Sequence, residues 1–198
     1  MTIQKINPRN LWVTAFIVVI AAIRVAINMN GQLHPLTNFS AIGAMALFGA
    51  AYFSKRIPAF AVPLLTLFVS DMILALTVYS KYSHGILYSG WYWVYGAFAL
   101  MVIAGKLIIR EVSFKNVLLA AVAITFIHWI VSDIGVWLNG STYPKTMAGC
   151  WACLAAAIPF ERNFLLGTLF YSGIMFGCFE WMKKHRASLD MAQANIIS

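Results

Sequence analysis

The sequence predicts an all-α membrane protein, a single domain over residues 1–198 in which six transmembrane helices leave both termini cytoplasmic. Of the 198 residues, 62% are hydrophobic and only 10% are charged, whereas soluble domains carry about 25% charged residues. The apolar residues are grouped in runs that could each cross a hydrocarbon core of about 30 Å as a helix. One soluble core could not bury so much apolar surface.

The apolar runs define the predicted elements in chain order. The first lacks a small-residue cleavage site after it, which favours a retained span over a signal peptide. The second is short and rich in Ala and Gly. In the third, Pro58 suits the first helical turn, while Pro63 costs a hydrogen bond unless it is near the helix start. The six predicted spans are residues 10–28, 38–53, 57–79, 91–109, 115–137 and 164–182.

A seventh apolar run is too short to cross the membrane. It covers residues 146–158 and is closed by Pro159. Its 13 residues predict a short re-entrant or interfacial helix between helices five and six. Residues 183–198 form a basic tail, which we expect to anchor at the inner leaflet.

The distribution of Lys and Arg orients the predicted bundle, because basic residues flanking spans favour the cytoplasmic side. With the N-terminus inside, ten basic residues fall on inner segments, and only Lys81, Lys145 and Arg162 fall on outer ones. This asymmetry requires an even number of crossings. The net charge of +8 is thereby explained by the lipid bilayer, and no nucleic acid partner is expected.

Charged residues inside the predicted spans mark the candidate ligand site, since such groups normally face a partner charge or a water-filled cavity. Arg24, Asp71 and Asp133 all fall toward the outer side. The similar Val-Ser-Asp segments at 69–71 and 131–133 suggest two comparable positions facing one cavity. Two interpretations stay open: Arg24 pairs with a carboxylate and only ties the bundle together, or the cluster orients a small ligand in a pocket.

Two further candidates have weaker patterns. Cys150 and Cys153 are three residues apart, so both sulfurs lie on one helical face, as in a thiol oxidoreductase. Cysteines also serve as small apolar residues in packed helices. His128 is interpreted as a hydrogen-bonded packing residue. No phosphate loop, HExxH, GxSxG or dinucleotide fingerprint occurs, so we do not expect an enzyme.

Five segments of the sequence carry a resemblance to a known family: residues 38–50, 63–65, 70–71, 143–146 and 157–160. They resemble a family of small bacterial membrane proteins, the S components of energy-coupling factor (ECF) transporters, specifically the solitary cobalamin transporters of BtuM type. The resemblance covers roughly residues 10–182. It implies a substrate-binding and uptake subunit in the bacterial inner membrane, with an extracytoplasmic pocket for cobalamin or another corrinoid.

The resemblance also implies roles for particular residues. In related S components an alanine-rich face of helix one packs on a transmembrane coupling subunit with ATPases, and Ala22 and Ala26 match it here; a solitary transporter would need no such partner. The BtuM type uses a cysteine after helix three as an axial cobalt ligand. This sequence has Ser80 in that region, and His84 could ligate cobalt instead.

The expected ligand site combines both lines of reasoning, with the aromatic members stacking on or covering the ligand. The alternatives to a vitamin uptake subunit are a structural or assembly subunit of a larger membrane complex and a membrane thiol oxidoreductase. The predicted ligand-binding residues are Arg24, Asp71, Ser80, His84, Asp133, Trp137, Tyr143 and Trp151.

Overall fold

A computed structural model of the chain describes residues 7–29, 38–78, 80 and 87–186. Five of the helices are long and apolar enough to cross a membrane, and the exception is α2. The predicted all-α membrane class is therefore confirmed for these residues. The six helices are α1 (Pro8–Met29), α2 (Ile42–Tyr52), α3 (Arg56–Leu76), α4 (Trp91–Ile108), α5 (Phe114–Asn139) and α6 (Met147–His185).

The second helix lies in the centre of the bundle. All residues from 43 to 50 are buried, as expected of a helix that is apolar on every side. Its 11 residues extend only about 16 Å, so the prediction that residues 38–53 form a membrane-spanning helix is wrong. Asn38 has a φ of 67°, so a right-handed helix cannot include it; α2 begins at Ile42.

The last helix is continuous over 39 residues, Met147–His185. The prediction of a separate short helix at 146–158 and a final span at 164–182 is therefore wrong. Pro159 lies inside the helix; a proline there removes one backbone hydrogen bond, and the turns on either side keep theirs. The first residues of the predicted basic tail belong to α6, and residues 187–198 lie outside the described residues.

The six helices alternate in direction, so α1 begins where α6 ends. The Arg186 guanidinium lies 5.2 Å from the centroid of the Trp12 ring. The Tyr52 hydroxyl, at the end of α2, donates a hydrogen bond of 2.5 Å to Glu180, and Lys106 donates one of 3.1 Å to the Phe53 carbonyl. We call this end of the bundle the basic end. Its location on the cytoplasmic side stays a prediction.

A close approach of backbones holds α6 against the start of α2. A Cβ atom built on Gly167 would lie 2.7 Å from the backbone nitrogen of Ser40 and 2.9 Å from its carbonyl oxygen. Only glycine permits such an approach without a shift of the backbone. This contact places the beginning of α2 part-way along α6, well away from the basic end.

Candidate functional site

A cavity of about 630 Å³ lies in the half of the bundle away from the basic end. This volume is within the range of about 300–1,000 Å³ that small-molecule sites occupy. Its wall is mainly apolar and carries a few charged side chains contributed by four helices. The cavity is lined by Arg24, Asn38, Ile42, Asp71, Leu74, Ala75, Tyr88, Val94, His128, Ser132, Asp133, Val136, Ala157, Phe160 and Glu161.

An ion pair between α1 and α3 forms one part of the wall. Nη2 of Arg24 lies 2.7 Å from Oδ1 of Asp71, and Nη1 donates a hydrogen bond of 2.5 Å to the Ser70 hydroxyl oxygen. The Tyr95 hydroxyl donates one of 3.2 Å to Oδ2 of Asp71. Asp71 is buried, and a lone carboxylate there would be costly. The partner of Arg24, left open by the sequence, is Asp71.

A second pair connects α5 and α6. Nδ1 of His128 lies 2.9 Å from Oε1 and 3.1 Å from Oε2 of Glu161. The imidazole stacks on the ring of Phe164, with centroids 4.2 Å apart and planes inclined by 9°. A carboxylate that holds one ring nitrogen fixes the orientation of the other. This pair is therefore a preorganised polar group on the cavity wall.

Two polar groups beside this pair have no partner among the described residues. Asp133 is half-buried, and neither a hydrogen bond nor an ion pair there reaches its carboxylate. The oxygen of the Ser132 side chain is buried and makes no hydrogen bond. Buried polar atoms normally have a partner. These two groups therefore provide unused acceptors at the cavity.

Tyr88 contributes a neutral phenol from the segment before α4. Its partial burial raises the pKa above the ordinary value for tyrosine; the negative charge of Asp71 adds to the rise and the positive charge of Arg24 opposes it. The hydroxyl therefore stays protonated at physiological pH and remains able to donate a hydrogen bond.

A family model described as a family of unknown function, DUF6580, matches residues 4–190. The chain belongs to this family. No curated protein matches it, and neither does any solved structure. In this DUF6580 chain the matched region includes all six helices and every residue that lines the cavity.

The structure of the DUF6580 chain brings together three of the predicted site residues. Arg24, Asp71 and Asp133 line the same cavity, although a role in ligand binding stays a prediction. Ser80 is exposed and donates a hydrogen bond of 3.3 Å to the Thr77 carbonyl, outside the cavity wall. His84 lies outside the described residues.

The three aromatic residues expected to cover a ligand do not line the cavity. The indole nitrogen of Trp137 donates a hydrogen bond of 2.9 Å to the Pro144 carbonyl. Trp151 is 66% exposed, and Tyr143 is half-buried in the connection between α5 and α6. Because α6 continues without a break, its first turns form no lid that folds back over the site.

Sequence reasoning missed Glu161 and underrated His128. The expected helix end at Pro159 placed Glu161 in a loop, where a carboxylate is common and does not indicate a site. A continuous helix would have put the carboxylate inside a span and marked it as a candidate site residue. Glu161 could have been found as a charged residue inside a span, but only if Pro159 had been interpreted as lying within the helix.

The two cysteines of the CxxC motif lie in the first part of α6. Neither is in a disulfide. Cys153 is buried, and its thiol donates to the carbonyl oxygen of Asp133 at 3.5 Å, which is the behaviour of a packing residue. Cys150 is half-buried.

Proposed function

We propose that the protein is a membrane subunit that binds a small vitamin-like molecule and takes part in its uptake, as S components of ECF transporters do. The observation that carries the proposal is the cavity within a bundle of apolar helices, lined by the Arg24–Asp71 ion pair, the His128–Glu161 pair and an Asp133 carboxylate that has no partner among the described residues. A mainly apolar wall with a few convergent polar groups is typical of small-molecule sites. The bacterial inner membrane is the location that this proposal requires.

The identity of the ligand is part of the proposal. The resemblance to BtuM-type transporters names cobalamin or another corrinoid, with His84 as a cobalt ligand. A cavity of about 630 Å³ suits a ligand of drug-like size, so a corrinoid would extend beyond it. We therefore propose a vitamin-like molecule as the ligand and treat a corrinoid as the most specific candidate.

The energy for uptake would come from a partner or from an ion gradient. Ala22 and Ala26 are both exposed on α1, and small residues allow another helix to approach closely. This face suits a transmembrane coupling subunit with its ATPases. In a solitary transporter the same face would contact lipid. The proposal involves no covalent chemistry on the ligand.

The first experiment is to purify the full chain in detergent and identify what it retains. A corrinoid would be visible in the absorption spectrum, and other vitamins would be detected by mass spectrometry of the denatured sample. A thermal-shift series with cyanocobalamin and the other water-soluble vitamins then tests binding directly. We expect at least one compound to be retained or to raise the melting temperature.

A cavity-filling variant and its neighbour provide the matched control. Ala157 is buried and lines the cavity, whereas Ala156 is exposed on the same helix. We expect Ala157→Phe to abolish ligand binding to the purified chain, and Ala156→Phe to retain it. A chain that binds no vitamin, or that binds one equally well with Ala157→Phe, would contradict the proposal.

A structural or assembly subunit is the second candidate, and one observation favours it. Gly173 and Gly177 form a GxxxG pattern that is exposed on α6, and no atom of the described residues lies within 4 Å of a Cβ built on either of them. Such a face lets another transmembrane helix approach closely. Stoichiometric copurification of another membrane protein, lost in Gly173→Leu, would favour this candidate over ligand uptake.

A further inference from the structure

We infer that the ligand carries a protonated amine, held at the α5 and α6 side of the cavity by Asp133 with Ser132 and Glu161. This inference rests on the proposed function and adds a chemical class to it. An intact corrinoid, whose side chains are amides, carries no protonated amine, so the inference favours a smaller vitamin-like amine over a corrinoid. The group of residues His128, Ser132, Asp133 and Glu161 is called the acidic pole below. All four line the cavity.

The charges on the cavity wall do not cancel. Arg24 is balanced by Asp71 at 2.7 Å. Glu161 is held by His128, and Asp133 has no counterion among the described residues. The lining thus has one cationic side chain and three carboxylates, which leaves two net negative charges with His128 neutral and one with His128 protonated. Inside a membrane this excess is costly without a bound positive charge.

The free polar groups of the acidic pole accept hydrogen bonds. The Ser132 oxygen is buried, has no partner in the part of the chain that the structure describes and adjoins Asp133 in the chain. His128 lies one helical turn before Ser132. Asp133 and His128 are five residues apart, about 7.5 Å along the helix axis. Several acceptors within that span match an ammonium group, which has three N–H donors and no acceptor.

An amine on an organic body fits the site better than a metal ion does. No set of three His, Cys, Asp or Glu side chains in the described part of the chain could hold a metal. The rest of the wall is apolar and includes Leu74, Val94 and Phe160, which would cover a hydrocarbon or ring system. The charges of Arg24 and Asp71 neutralise each other, so this pair does not require a bound cation.

The test uses ligand sets that share one ring and differ in one substituent. One set is pyridoxamine, pyridoxine and 4-pyridoxate, and the other is tryptamine, tryptophol and indole-3-acetate. Binding to the purified full chain is measured by thermal shift and by titration, alongside the vitamin panel. We expect the amine of each set to bind at least about tenfold more tightly than its neutral and anionic analogues, since hydrogen bonds to a charged group are stronger than those between neutral groups.

Variants connect that preference to the acidic pole. Asp133→Asn removes the unpaired charge and should weaken amine binding about tenfold or more while leaving the neutral analogue unaffected. Asp133→Glu restores the charge and should restore the preference. Glu111→Gln makes the same charge change at an exposed position outside the cavity and should have no effect. The melting temperature of each unliganded variant verifies that it is folded.

The outcomes separate the two proposals. If a vitamin binds but amines show no advantage, or if Asp133→Asn retains the amine preference, the inference is overturned and the proposed function stands. If amines bind preferentially and Asp133→Asn removes that preference, both are supported. If no vitamin and no amine binds, both are overturned.

Discussion

Arg24 and Asp71 stabilise the bundle only as a pair. Their side chains are 14% and 5% exposed, so both have lost most of their contact with solvent. In such a setting the mutual attraction roughly offsets the cost of desolvation, and removal of one partner leaves the other charge buried without compensation. Ser70 and Tyr95 supply the remaining hydrogen bonds.

Removal of one member of this pair should therefore cost more than removal of both. We expect Arg24→Met to lower the free energy of unfolding by about 3–5 kcal/mol, and the double variant Arg24→Met with Asp71→Leu to recover most of that loss. Reversible unfolding of the protein in mixed detergent micelles measures both. A double variant no more stable than Arg24→Met would show that the charge pair is not the source of the effect.

At the level of residues, sequence reasoning located charges but not their geometry. Arg24, Asp71 and Asp133 could be found because charges are rare and costly in apolar spans. The particular pairing of Arg24 depends on how α1 and α3 pack, which no local pattern encodes. Glu161 was missed because one residue, Pro159, was interpreted as the end of a helix.

Among the helices, α6 is in close contact with the chain just before α2. The backbone of Ser40 lies against Gly167, so any side chain at residue 167 must displace the main chain. Gly173 and Gly177, farther along α6, face open space. The GxxxG spacing of Gly173 and Gly177 therefore does not identify Gly167, the glycine that lies at the packed contact.

These two environments predict opposite effects for the same substitution. We expect Gly167→Ala to lower the free energy of unfolding by about 1–3 kcal/mol, because it overpacks a filled contact. Gly173→Ala should be neutral or stabilising by up to about 1 kcal/mol, because alanine favours the helix. Unfolding in mixed micelles compares them directly, and equal destabilisation by both would contradict the packing described.

Helix existence could be predicted from apolar runs, but helix lengths could not. The long spans α1, α3, α4 and α5 agree with their predicted ranges to within a few residues. The prediction for α2 was too long because an apolar run can enter a bundle without crossing it. The prediction for α6 was too short because a proline can lie inside a packed helix.

At the scale of the whole molecule, most of the basic residues that the structure describes lie at one end of the bundle. Lys55, Arg56 and Lys106 lie near the turn between α2 and α3 or against it, and Lys183 and Lys184 lie at the end of α6. The opposite end of the described chain holds few, such as Lys145. Basic residues favour the cytoplasmic side, so this asymmetry supports the predicted orientation.

Cysteine labelling in intact bacterial cells tests that orientation. In a chain whose three native cysteines are replaced by serine, we expect Ser141→Cys to react with a membrane-impermeant maleimide. Lys184→Cys should react only after the cells are opened. Both positions are exposed at opposite ends of the bundle, so the pair controls for accessibility. If only Lys184→Cys were labelled in intact cells, the orientation of the protein would be the opposite of the predicted one.

The unbroken course of α6 predicts that the site responds to bilayer thickness. Its 39 residues extend about 58 Å, nearly twice a hydrocarbon core, so the helix must tilt or project from the membrane. Glu161 at the cavity and Glu180 at the basic end are on this one helix. We expect lipids with longer or shorter acyl chains to change the tilt of α6 and thereby to shift both carboxylates together.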